Sequence, residues 1–277
     1  LKNTIIGSGA GEFITIGTHN TMLGYNAGGD SSAAGLLHTT LIGAYAGDAI
    51  EDNHADGTVA VGYQAASALT DGRYNVAVGF NALVAATDSD RNTAIGYQAL
   101  QAMTGTTGDT NNTALGHNAG LVVTTGVKNT FVGTYAGDGT GAKNTAVGQL
   151  ALSANCGNSN TAVGNNALKV STSNSNTAVG AEAGALLEEG LSNVAIGANA
   201  LDAEVEGSGN VAIGPNALTV QNAGGTDNTH TYTDNTAIGR NAGNTITTGI
   251  QNTGLGSGVA FDVDANNQTA IGYGATT

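Results

Sequence analysis

The chain has no tryptophan, one proline and one cysteine, and only 10% of its 277 residues are charged. The single cysteine, Cys156, excludes an intrachain disulfide, and a lone cysteine in a turn is more typical of an incidental substitution than of a nucleophile. No stretch is apolar enough to span a bilayer, so we expect no membrane insertion. The net charge of −14 disfavours nucleic acid and anionic membranes as partners.

One motif, Asn-Thr-Ala-Val-Gly-x-x-Ala, recurs along the whole chain. Its copies align on one glycine, here called the anchor glycine, and successive anchors are mostly 15 to 20 residues apart. The sixteen anchors are Gly7, Gly24, Gly43, Gly62, Gly79, Gly96, Gly116, Gly133, Gly148, Gly164, Gly180, Gly197, Gly214, Gly239, Gly256 and Gly272. Such a period is typical of a solenoid whose units cannot fold alone. We therefore predict a single repeat domain over residues 1–277.

Positions are numbered relative to the anchor. Position −1 is Val, Ile or Leu in every copy and position −3 is Thr or Val, so the alternation predicts a short strand in each coil. Position −2 is mostly Ala, which makes the opposite strand face small and apolar. We predict that positions −3 and −1, such as Thr161 and Val163, line the core, and that the Ala column packs against identical subunits around a cyclic axis.

Further columns predict the turns. Asn at position −4 predicts an internal ladder of stacked amides. Gly at position −7 predicts a corner that requires positive φ. Ala at position +3 indicates a site that only a small side chain fits. Position +4 is Leu or Gly in most copies, and Gly there predicts a bulge in a second short strand. The predicted fold class is an all-β parallel β-roll, or β-solenoid, of about sixteen coils.

The motif Asn-Thr-Ala-Val/Ile-Gly-x-Asn-Ala, as in Asn160 to Ala167, resembles the Asn-Ser-Val-Ala-Ile-Gly repeat of trimeric autotransporter adhesin heads. It is still more similar to repeats in bacteriophage tail-fibre proteins, and the likeness covers nearly the full chain. In the adhesin family the motif builds a left-handed parallel β-roll with three chains to a head, so the resemblance implies a left-handed homotrimer. Coils are longer and less uniform here, and Thr replaces the family Ser. Such rolls serve both as adhesive heads and as spacers.

Motifs that carry chemistry are scarce, so we predict no enzymatic activity and no cofactor. Left-handed β-helix acyltransferases share the pattern Ile213-Gly214-x-x-Ala217, but there it occurs three times in each coil. Adjacent carboxylates such as Glu188 and Glu189 lie in turns, whereas a glycosidase needs two carboxylates across a cleft. The Thr column suggests ice binding, but it shares a strand face that we predict to be internal.

One inter-coil loop gathers Glu51, Asp52, His54 and Asp56, which could hold Ca²⁺ or a transition metal. A solvated acidic turn is favoured, because the loop occurs once and has no regular ligand spacing. We predict no metal site, with residues 51–56 as the one candidate for such a site.

Two features are candidates for recognition. The longest insertion, Gln221 to Asp234, places His230 and Tyr232 among polar residues, a mixture suited to hydrogen bonding and to stacking on sugars. Position +1 is often aromatic. The aromatic residues there are Tyr25, Tyr63, Phe80, Tyr97 and Tyr273. This stripe has two interpretations, a recognition surface or a cover over the edge of the core.

These observations together predict a non-enzymatic, trimeric, extracellular fibre segment. Its partners would be two further copies of itself and a cell-surface glycan or protein receptor. The first hypothesis is a bacteriophage tail fibre, carried on the virion, that mediates attachment to a host cell. The alternatives are a trimeric adhesin head on a bacterial surface, and an extracellular filament or spacer subunit with no binding role.

Overall fold

The computed structural model describes residues 2–29, 35–50, 55–104, 108–222 and 232–277. The chain divides into two compact units, Leu1–Lys143 (unit 1) and Asn144–Thr277 (unit 2), and each is described by itself. No helix occurs in the described ranges, so they contain none that could cross a membrane.

In each unit, three-residue strands pair side by side in a parallel sheet. In unit 1 the sheet contains β1 (Thr4–Ile6), β2 (Thr21–Leu23), β3 (Thr40–Ile42), β4 (Val59–Val61), β5 (Val76–Val78), β7 (Thr93–Ile95), β9 (Thr113–Leu115) and β10 (Thr130–Val132), and β6 (Ser89–Asp90) pairs separately with β8 (Gly108–Asp109). Unit 2 contains β11 (Thr145–Val147), β12 (Thr161–Val163), β13 (Thr177–Val179), β14 (Val194–Ile196), β15 (Val211–Ile213), β16 (Thr236–Ile238), β17 (Thr253–Leu255) and β18 (Thr269–Ile271).

The strand register follows the alignment on the anchor glycines. Between β12 and β13, for example, Ala162 pairs with Ala178 and Val163 pairs with Val179. Each anchor therefore marks one coil, and residues in one sequence column lie above one another along the solenoid. The predicted fold class, an all-β parallel β-solenoid of about sixteen coils, is confirmed.

The second strand predicted for each coil is absent from the described residues, except for the pair β6 and β8. The rest of each coil consists of turns that use left-handed backbone at three columns. In the coil of Gly180, φ is 62° at Ser175, 59° at Glu182 and 57° at Gly184. Left-handed residues at positions −5, +2 and +4 reverse the chain too often for an extended segment to continue.

The strand faces are the reverse of the prediction. The position −2 column lies inside, and Ala162 and Ala178 have no exposed surface. The −3 and −1 columns point outward, and none of their residues is buried in either unit. Leu115, for example, is 47% exposed and Ile196 is 38% exposed. The Ala column at position +3 is buried as well, so two columns of small side chains share the interior, as expected for a narrow coil.

Volume compensation, not a bulge, explains the alternation of Leu and Gly at position +4. Leu168 and Gly184 occupy this column with nearly the same left-handed φ, 48° and 57°. Where Gly stands at +4, a larger side chain fills the space from elsewhere. The Phe131 ring occupies the space beside Gly137, and a Cβ on Gly137 would overlap that ring. Core volume is thereby kept close to constant from coil to coil.

The predicted asparagine ladder is confirmed. Asn160 Oδ1 accepts a hydrogen bond from the backbone N–H of Asn176 at 2.9 Å, and Asn176 Oδ1 accepts one from Asn193 at 2.9 Å. The Asn176 Nδ2 donates to the carbonyl of Gly190, at position −7 of the next coil, at 2.7 Å. The ladder therefore satisfies buried backbone groups at one corner of the coils.

The −7 glycines are needed for a different reason from the one predicted, because none of them in the described ranges has positive φ. A Cβ on Gly190 would overlap the carbonyl oxygen of Gly207 in the next coil. Close approach of backbones therefore selects glycine there. The anchor glycines need both properties, since their φ lies between 125° and 143° and a Cβ on Gly164 would overlap Gly180.

Candidate functional surface

The outward strand face is the most uniform surface of each unit. It carries Thr or Val at position −3 and Val, Ile or Leu at position −1, and neither column contains a charged residue. Contiguous apolar surface of this kind marks an interaction site. Ice binding was set aside in the sequence analysis because the Thr column was predicted to be internal. The Thr column is exposed, so that argument no longer applies.

An aromatic ladder borders the strand face in unit 1. It contains seven rings from successive coils, contributed by position +1 or +2. Successive ring centroids lie 5.1 to 6.1 Å apart in the order Tyr25, Tyr45, Tyr63, Phe80, Tyr97, His117 and Tyr135. The sequence singled out Tyr25, Tyr63 and Tyr97, and the structure brings all three into this ladder.

Sequence reasoning missed Tyr45, His117 and Tyr135 as members of the ladder. Tyr45 and Tyr135 stand at position +2, one residue beyond the aromatic column that was read from the sequence. Both rings nevertheless join the stack, with centroids 5.3 to 6.1 Å from those of their ring neighbours. Desolvation, and then the neighbouring Tyr25 hydroxyl, raises the pKa of Tyr45.

Ring orientation decides what the ladder offers to a ligand. From Tyr63 to His117 the rings are nearly parallel, with interplanar angles of 9° to 16°. The faces of Phe80 and Tyr97 are therefore occupied by their neighbours, and these rings present their edges outward. Sugars stack on ring faces, so this part of the ladder is poorly suited to sugar stacking.

Positions +1 and +2, which carry the ladder in unit 1, carry amides in unit 2. Asn166 Nδ2 donates to Glu182 Oε1 at 2.7 Å, and Asn216 Nδ2 donates to Asn241 Oδ1 at 3.1 Å. Tyr273, the one aromatic residue at position +1 of unit 2, is 88% exposed and has no ring neighbour in the described part of the chain. The border of the strand face is therefore aromatic in one unit and amide-rich in the other.

The insertion between Gly214 and Gly239 is anchored at both ends. Gln221 is fully buried, its Nε2 donates to Asn210 Oδ1 at 3.0 Å, and its Oε1 accepts from Asn235 at 3.2 Å. At the other end Tyr232 forms a bridge with Ser208 and is 64% exposed. His230 and the rest of 223–231 lie outside the described residues, so a joint site of His230 and Tyr232 stays a prediction.

The acidic loop that the sequence singled out as the one candidate for a metal lies mostly outside the described residues, which omit Glu51 to His54. The Asp56 carboxylate accepts a hydrogen bond from the backbone N–H of Leu37 at 3.2 Å. Within the described ranges no group of three or more His, Cys, Asp and Glu residues could hold a metal ion.

Carboxylates elsewhere serve the turns. Asp264 accepts hydrogen bonds from the hydroxyls of Thr248 and Thr247, which lower the pKa of Asp264. Asp138 is different, because desolvation raises its pKa to about 6 even though the backbone N–H groups of Val122 and Leu121 oppose the shift. Asp138 Oδ1 is buried without a hydrogen-bond partner.

No protein-family model matches the chain, and no curated protein matches its sequence. The likeness to tail-fibre and adhesin repeats therefore rests on the repeated motif. The structure adds only the β-solenoid fold to that likeness.

Proposed function

We propose that this protein is a non-enzymatic segment of a trimeric extracellular fibre, with left-handed coils, and that it belongs to a bacteriophage tail fibre that attaches to a receptor on the host cell. The exposed aliphatic column at position −1 is the observation that carries the proposal. It contains no charged residue, and in each unit none of its residues is buried by the described part of the chain. In a trimer around an axis, the neighbouring copies cover this column, so no helices are needed to cover it.

The proposal moves the axis to the other strand face. The Ala column, which was expected to meet identical subunits, is buried inside the coil. The Val, Ile and Leu column is outside, and it offers more apolar area for packing against a partner than Ala does. Cyclic symmetry remains the arrangement that lets identical parallel solenoids pack side by side.

Receptor attachment is assigned to the insertion between Gly214 and Gly239. Its two roots are fixed by the buried Gln221 and by the pairing of Tyr232 with Ser208. A segment held at both ends on a rigid scaffold is typical of recognition loops. The exposed Tyr232 ring can stack on a sugar, which supports a glycan or glycoprotein receptor.

Two alternatives keep the same trimer. An adhesin head on a bacterial surface would use the same loop, and a spacer would bind nothing. Binding of fluorescently labelled protein to intact host cells separates the tail fibre and the adhesin head, which both bind, from the spacer, which does not. Competition by purified surface polysaccharide identifies a glycan receptor. Protein that assembles but binds no cell supports the spacer.

Ice binding is a second candidate, because twelve Thr residues at position −3 point outward in a regular array. The same face cannot be both a subunit interface and an ice-binding surface. Light scattering of purified protein decides between them. A trimer supports the fibre, whereas a monomer that produces thermal hysteresis and reshapes ice crystals would replace the fibre proposal.

A further inference from the structure

The strand face has two borders, and both are exposed. The entry border is position −5, the left-handed residue before the strand, and the exit border is positions +1 and +2. Arg240 is the only Lys or Arg residue at position +1, and Asp234 is the only acidic residue at position −5. Both belong to the coil of Gly239, and both are exposed. Within the described part of the chain neither has an ion-pair partner.

A contact between these two side chains within one chain is excluded by distance. Positions −5 and +1 are six residues apart on either side of the strand, which is roughly 15 to 20 Å at about 3.3 Å per residue. Around a cyclic axis, however, the exit border of one copy meets the entry border of the next at the same height. Arg240 of one copy then faces Asp234 of its neighbour.

The two borders also change character together along the chain. In unit 1 the exit border is the aromatic ladder, and the entry border holds Tyr74, Arg91 and Lys128. Lys128 is exposed, and it stands in the same coil as the ring of Tyr135. Aromatic rings attract cations and other rings.

In unit 2 both borders become small or polar, except for Tyr273 in the last coil. The exit border holds Ala181 and Ala198, and the entry border of the same two coils holds Ser175 and Ser192. A coordinated change in two columns that do not touch within one chain is expected if the columns meet between copies.

Area supports a second copy as the occupant. Five of the ladder rings are 36% to 51% exposed. If a full aromatic side chain has about 200 Å² of surface, each ring exposes about 90 Å². Together they expose about 400 Å², and the adjoining aliphatic column brings the face of unit 1 to about 800 Å², one partner's share of a standard interface. The outward ring edges suit protein packing better than sugar stacking.

We propose that the exit border of one copy packs against the entry border of the next copy, with an Arg240–Asp234 ion pair between chains in unit 2 and ring and cation contacts in unit 1. This inference rests on the trimer of the proposed function. It assigns Tyr25, Tyr63 and Tyr97 to self-association and leaves receptor binding to the insertion.

Cross-linking tests the inference directly. In a Cys156→Ala background, Ser192→Cys with Ala198→Cys places one thiol on each border of the same coil, with almost no change in side-chain volume. Mild oxidation or a short bismaleimide should convert the double variant into covalent trimers on a denaturing gel. Each single variant should stay monomeric on that gel, because neither border meets itself in a cyclic trimer.

The outcomes separate the two proposals. A monomer by light scattering removes the trimer itself. If the protein is a trimer but the double variant does not cross-link, the pairing of borders is wrong. The ladder would then bind another partner, such as the receptor. Covalent dimers from a single variant overturn it as well, because they require a two-fold contact.

A charge-reversal cycle tests the ion pair. Arg240→Glu should raise the trimer dissociation constant roughly three- to tenfold at low salt, because a like-charge pair replaces each ion pair. Asp234→Lys should do the same, and the double reversal should restore the original value. A double variant that assembles no better than the singles would show that the two residues do not meet.

Discussion

The asparagine ladder makes a quantitative prediction for Asn160→Ala. The Asn160 side chain accepts the backbone N–H of Asn176 at 2.9 Å and donates to the carbonyl of Ser173 at 2.8 Å. Both partners belong to buried residues of the next coil. The substitution therefore leaves one donor and one acceptor without a partner in the interior.

Each buried group left without its hydrogen bond costs about 1 to 3 kcal/mol, so Asn160→Ala should lower the free energy of unfolding by about 2 to 6 kcal/mol. Asn160→Thr should cost less. Thr58 occupies the same column, and its hydroxyl donates to the carbonyl of Gly72 at 3.5 Å. A threonine hydroxyl can thus replace the donor, although more weakly than the amide.

Urea unfolding followed by circular dichroism measures these differences, with the oligomeric state of each variant checked by light scattering. Lys169→Ala in the same coil is the matched control, because this side chain is exposed and lies outside the strand face and its two borders. The control should change the free energy of unfolding by less than about 0.5 kcal/mol. An Asn160→Ala variant as stable as this control would refute the structural role of the ladder.

Further predictions concern the strand faces, the half-exposed carboxylate of Asp138 and the insertion. Val163→Asp should leave the circular dichroism spectrum intact and abolish the trimer, whereas Ala162→Asp, which buries the charge inside the coil, should prevent folding; identical behaviour would contradict the assignment of faces. The raised pKa of Asp138 means that its ionisation opposes folding, so stability should fall as pH rises from about 4 to about 6. Because Asp138 is half-exposed, Asp138→Asn should add only about 1 to 2 kcal/mol at pH 8 and nothing near pH 3, as melting at both values will test. Replacing residues 223–231 by a short Gly-Ser link while keeping Gln221 and Tyr232 should preserve the melting temperature and weaken attachment to host cells; undiminished attachment would place recognition elsewhere.

The sequence was sufficient for the coil and for its register. Each coil stacks on its neighbour residue by residue, so an alignment of the repeats is also an alignment in space. The Asn column could be assigned a role because an amide is the side chain that both donates to and accepts from backbone groups one coil away. Nothing outside the repeat was needed for these inferences.

The sequence could not decide which strand face lies inside. Alternation in Thr161, Ala162 and Val163 establishes that the first and third side chains share a face, but both faces are apolar enough to be buried. The general preference for large aliphatic residues in cores pointed to Val163. The deciding quantity was the width of the coil, whose interior holds the buried Ala columns at positions −2 and +3, and that width is a property of the folded backbone.

The difference between uniform and variable columns bears on function. The −1 column stays aliphatic in every coil, so whatever covers it must also repeat at every coil, and a second copy of the same solenoid does so at the same spacing. The borders vary from aromatic to amide-rich, and the insertion occurs once. Self-assembly is therefore expected to depend on features shared by all coils, with partner register set by local pairs such as Arg240 and Asp234. Recognition of a receptor, which needs a unique shape, is expected where the repeat is interrupted.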